Sequence, residues 1–177
     1  MGWWKRATGA GAAIESTGAE INRLAAELQV VAGGRGVTTG AAVTAIATAL
    51  GYEVAALVMR NPSLTIDEML DMVCQSVRDT GRVAANPSPL APKGAGDLTE
   101  QEFAQLTMRI IHTATHDATL TDATAATAKA LGVLIATVAR RPGIHFDETL
   151  RWGQNAVVAF AQDARAGLAR DARDAAT

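Results

Sequence analysis

The run Arg60-Asn61-Pro62-Ser63-Leu64-Thr65-Ile66-Asp67-Glu68-Met69-Leu70 returns eighty residues later as Arg140-Arg141-Pro142-Gly143-Ile144-His145-Phe146-Asp147-Glu148-Thr149-Leu150. Arg, Pro, Asp-Glu and Leu keep their places, and the apolar slots exchange Leu for Ile and Ile for Phe. A residue before proline is pushed out of the helical region, so each copy reads as a helix end, a break and a new helix start. The likeness extends outward. Thr17-Gly-Ala-Glu20-Ile21-x-x-Leu24 matches Thr99-Glu-Gln-Glu102-Phe103-x-x-Leu106 at a distance of 82, and Ala49-Leu50-Gly51 matches Ala130-Leu131-Gly132 at 81. The steady fall from 82 to 80 fits single-residue changes at helix junctions. The expectation is an all-α bundle of two tandem, pseudo-symmetric three-helix repeats.

The helices follow from apolar spacing. Ile21, Leu24, Leu28 and Val31 form one stripe over Gly18 to Ala32, and Phe103, Leu106, Ile110 and Ala114 form its counterpart. Thr17 with Glu20, Thr65 with Glu68 and Thr99 with Glu102 have the spacing of capping boxes. A second helix starts after Thr38 or Thr39 and runs to about Arg60, and a partner runs from about Asp122 to Arg140. Both are apolar nearly all round, which places them centrally, where small Ala and Gly surfaces allow close packing. The third helix carries Ile66, Met69, Leu70, Val73, Cys74 and Val77 on one face. Its counterpart carries Phe146, Leu150, Val157, Ala161, Ala164 and Leu168, and continues to about Arg173, long enough to brace the first repeat or another subunit.

All five prolines avoid these helices, three of them in one segment, Pro87, Pro89 and Pro92. The chain therefore divides into an arm at 1–16, a repeat at 17–83, a Pro/Gly linker at 84–97 and a second repeat at 98–177.

Composition narrows the function classes. Hydrophobic residues are 49% and charged residues 19% of the 177, ordinary globular proportions, while aromatics are only 4%. The core is thus expected to be aliphatic and alanine-rich. A net charge of −2 disfavours a dedicated nucleic-acid binder. The single cysteine, Cys74, excludes an internal disulfide and is expected as a buried, inert thiol. The stretch after Met1-Gly-Trp-Trp-Lys-Arg is too weakly apolar for a signal peptide, and Arg6 stands where myristoylation needs Ser or Thr. Gly40 to Met59 is the best candidate membrane span. Its Ala and Thr gain little from lipid, and the central Glu53 adds about 2.5 to 3.5 kcal/mol against insertion. A buried helix accounts for it better, so no membrane span is expected and the location is expected to be cytoplasmic.

Candidate chemistry is sparse. Asp67-Glu68 and Asp147-Glu148 resemble paired carboxylates, but adjacent helical residues point about 100° apart, and acids in a first turn complement the helix dipole. His112-x-x-x-His116-Asp117 sets two imidazoles on one helical face, the spacing of a zinc or other divalent-metal site, with His145 as a remote third ligand. The first repeat has Val30 and Gly34 at those places, so solvated histidines are favoured and no metal or cofactor is expected. No phosphate loop, nucleophile elbow or Ser–His arrangement is present. Arg60, Arg78, Arg82, Arg140, Arg141 and Arg151 form a candidate basic edge, but acids are interspersed with them.

Trp3-Trp4-Lys5-Arg6 is the most distinctive surface feature, since tryptophan is a favoured interface anchor. Together with Arg140, Arg141 and Trp152 it makes the expected partner-binding set. The expected function is a non-catalytic protein–protein interaction or adaptor protein, or a homo-oligomer. Richness in Ala, Arg and Thr suggests GC-rich coding and a bacterial or phage type. The alternatives are a nucleic-acid-associated regulator using the arginine edge and a metal-dependent enzyme using His112 and His116.

Overall fold

Threonine caps five of the six helices among the described residues. The computed structural model describes residues 17–34, 36–84 and 98–174. Among these residues are six helices and no strand: α1 Gly18–Ala32, α2 Thr39–Arg60, α3 Ile66–Val83, α4 Glu100–Thr115, α5 Leu120–Ala139 and α6 Phe146–Asp174. Thr17, Thr65 and Thr99 each accept the backbone N–H three residues on, while Glu20, Glu68 and Glu102 accept the cap residue's own N–H, so all three capping boxes are closed. Those bonds hold the three carboxyls below the usual carboxylate range. The backbone N–H of Thr17 and of Thr65 acts most on Glu20 and Glu68, and the Thr99 hydroxyl most on Glu102. Thr38 and Thr119 cap α2 and α5. α5 starts two residues before the expected Asp122, because Thr119 is the cap and Asp122 is its partner in the first turn. Replacing Thr17 or Thr99 with alanine is expected to cost about 1 kcal/mol each, read as a lowered urea midpoint with unchanged slope.

α2 and α5 are buried on nearly every side. Their threonines enter the core because their hydroxyls are satisfied within their own helix. Thr48 donates to the Thr44 carbonyl at 2.8 Å, Thr124 to Leu120 at 2.7 Å and Thr137 to Val133 at 2.8 Å. Both helices are long and apolar enough to cross a membrane by length and composition alone, with 78% of each apolar window buried inside the protein. The core is aliphatic, with Leu28, Ile46, Leu50, Met69, Leu106, Ile110, Leu131, Leu134 and Ile135 fully enclosed. Cys74 is half-buried rather than buried. Burial, then the charge of Asp71, pushes its thiol up to about 11, against the pull of Arg78, so it is held un-ionised.

The main packing is between the two halves of the chain. α2 lies chiefly along α6, α3 along α5, and α2 and α5 pack on each other, while α1 covers α5 and α4 covers α2. Packing within 18–83 is slighter. Two glycines set the closest approaches to backbone atoms of a neighbouring helix. A Cβ at Gly51 would stand 2.8 Å from the Ala161 nitrogen and 2.8 Å from the Phe160 Cβ. One at Gly132 would stand 2.6 Å from the Val77 carbonyl oxygen and 2.9 Å from the Thr80 Cβ. The glycine-mediated approaches therefore join α2 to α6 and α5 to α3, not α2 to α5.

Candidate functional site

A carboxylic acid sits where an aliphatic side chain would be expected. Glu53 lies on α2 at 2% exposure, and one turn before it Ala49 and Leu50 are wholly buried. Its Oε1 is 3.1 Å from the Thr127 hydroxyl of α5, and its Oε2 has no hydrogen-bond partner. The Thr127 hydroxyl also lies 2.9 Å from the Ala123 carbonyl oxygen, and it has one proton to give. Loss of water pushes the Glu53 carboxyl up to about 8, and the bond from Thr127 lowers it only in part. A neutral Glu53 resolves the pattern: its O–H donates to the Thr127 oxygen, and Thr127 donates to the Ala123 carbonyl. The sequence marks Glu53 only as the lone acid in an apolar run. Its partner is 74 residues away, and nothing local pairs them.

The residues singled out from sequence occupy other places. Arg140 donates through Nη2 to the Ala84 carbonyl oxygen at 2.9 Å, and Arg141 donates to the Thr39 hydroxyl. Both guanidinium groups thus help to tie the corner before α6 to the end of α3 and the start of α2. Trp152, in the second turn of α6, is 44% exposed. Trp3, Trp4, Lys5 and Arg6 lie outside the described residues.

His112 and His116 stack edge to face, ring centroids 5.2 Å apart, both exposed at the end of α4. The His116 Nδ1 is 3.0 Å from the Asp117 carboxylate. Among the described residues no group of three or more His, Cys, Asp and Glu side chains is arranged to hold a metal ion. Replacing both histidines with alanine is expected to leave the unfolding free energy within about 0.5 kcal/mol of the parent, as for other exposed positions. Elemental analysis finding one zinc per chain, lost in the double variant, would instead establish a metal site.

One cleft of about 130 Å³ lies between α1 and the α4–α5 corner, lined by Glu20, Arg23, Glu27, Asp117 and Asp122 among others. Its acids are engaged locally: Glu20 with Thr17, Glu27 with Arg23, Asp117 with His116 and Asp122 with Thr119. Compared with protein-family models, with curated proteins and with solved structures, the chain matches none.

Proposed function

We propose that this chain is a non-catalytic protein–protein interaction or adaptor module, of bacterial or phage type, that engages another protein or a second copy of itself. The observation that carries the reading is the large apolar side chains left outside a well-filled core. Trp152, Tyr52 and Met59 are 44%, 45% and 44% exposed, and Tyr52 and Met59 share one face of α2 at a spacing of seven. Exposed tryptophan and tyrosine are typical anchors of protein interfaces. Glu20, Glu68, Glu102 and Asp122 are occupied in helix caps, and the internal bonds of Arg140 and Arg141 weigh against an arginine edge reserved for nucleic acid.

The architecture proposed with this function is a tandem pair of related three-helix units. What supports it is the agreement between the sequence recurrence and the close approaches. Gly51 and Gly132 correspond at a distance of 81, and their respective neighbours Phe160-Ala161 and Thr80-Gly81 correspond at 80.

The test is sedimentation of the full chain over a wide concentration range, beside a variant lacking residues 1–6 and a Trp152→Ala variant. Self-association weakened by tenfold or more in either variant, with the unfolding midpoint unmoved, supports the reading. If the parent self-associates, the anchors fail when both variants associate as the parent does. If the parent stays monomeric, they fail when neither change weakens a partner captured by cross-linking in the source cells. Loss of several kcal/mol on removing 1–6 would make the arm structural, as for core aromatics.

A further inference from the structure

Glu53 has a proton requirement that follows from counting donors. An ionised carboxylate has about four lone-pair positions and no proton of its own. The one polar side chain bonded to it is Thr127, whose single proton is contested by the Ala123 carbonyl. With the carboxyl protonated, one bond runs from Glu53 to Thr127 and one from Thr127 to Ala123. With it ionised, Thr127 must leave either the carboxylate or the carbonyl unpaired, and Oε2 has nothing in either state. A buried charge so poorly solvated is relieved by letting water in.

The elements packed on α2 are α1, α3, α4, α5 and α6. Among the described residues, the titratable groups on these helices that are buried or half-buried are Cys74 and Arg78 on α3 and Asp122 and Lys129 on α5. Asp122 is bonded to Thr119, Lys129 to Asn22 and Arg78 to Gln75. None of them acts on Glu53, for which desolvation and Thr127 are the two influences.

We propose that Glu53 is a proton-dependent clasp between α2 and α5, closed while the carboxyl keeps its proton and opened when the proton leaves to solvent. Opening separates the two most apolar helices of the chain and gives water, or an apolar ligand, access to their facing surfaces. The open population then grows up to tenfold for each pH unit below the point where the folded carboxyl ionises, and levels off above it.

The experiment follows an apolar fluorescent dye and the amide-exchange protection of α2 and α5 from pH 6 to 9, with helix content checked at each pH. In the full chain, dye fluorescence should rise with a midpoint near the value of about 8 set by burial, protection should fall in α2 and α5, and helix content should persist. Glu53→Gln should be flat. If Glu53→Gln impairs folding, Glu53→Leu serves, because the other half carries Leu134 at the corresponding place, wholly buried. A flat response in the parent, or the same rise in the variant that folds, overturns the clasp.

Discussion

Gly132→Leu is expected to abolish the native bundle, and Gly132→Ala to destabilise it by about 1 to 3 kcal/mol. A helix interior ordinarily gains roughly 1 kcal/mol from replacing glycine with alanine, so the sign itself is diagnostic. The methyl group at 132 would meet the Val77 carbonyl at 2.6 Å and the Gly81 nitrogen at 3.0 Å, and these are backbone atoms that move only if α3 moves. Gly51→Ala is expected to behave alike, because the Ala161 nitrogen stands 2.8 Å from the added carbon. Gly167 in α6 has nothing within 4 Å of the corresponding position, and Gly167→Ala should stabilise by about 0.5 to 1 kcal/mol. Urea unfolding of the three alanine variants checks the pattern, which fails if Gly132→Ala and Gly167→Ala shift the midpoint in the same direction.

The second large effect is on pH dependence. Folding raises the Glu53 carboxyl from an ordinary 4.5 to about 8. Between those values the folded chain keeps a proton that the unfolded chain has lost, so stability must fall as pH rises. At about 1.4 kcal/mol per pH unit, the whole interval amounts to roughly 5 kcal/mol, fully lost above pH 8. The cap carboxylates of Glu20, Glu68 and Glu102 act with the opposite sign, since their values are lowered and their contribution disappears as pH falls. Stability is therefore expected to peak near pH 5. Glu53→Leu should remove the decline on the alkaline side and be more stable than the parent at pH 8, with Thr127 still bonded to Ala123. An unfolding midpoint that is level from pH 5 to 8 in the parent contradicts this.

How much of this was legible depends on the range of the interaction. Thr17, Thr65 and Thr99 each announce a helix by a glutamate three residues on, and the structure closes all three boxes. The stripe from Ile66 to Val77 is likewise local, and its apolar members bury as the spacing requires, with Cys74 turned partly outward. The all-round apolar character of α2 and α5 correctly made them central. Their close neighbours were not legible, because Gly51 and Gly132 record only that something approaches, not that it is Phe160-Ala161 or Val77 and Thr80-Gly81. The same holds for Arg141: its charge suggested a surface for partners, and its bond to Thr39 joins residues 102 apart. Glu53 was visible as an anomaly in a hydrophobic run. Its protonation depends on enclosure by helices from the other half, which composition and periodicity do not encode.

The most direct test is the titration of the Glu53 side-chain carboxyl itself, followed by its carbon-13 NMR shift in the intact chain. It probes the enclosure of α2, the pairing with Thr127 and the proton on which the clasp depends. A midpoint near 8 is the predicted result. A midpoint near the ordinary 4.5 would mean that water reaches the carboxyl in the folded state, and that α2 is not enclosed as described.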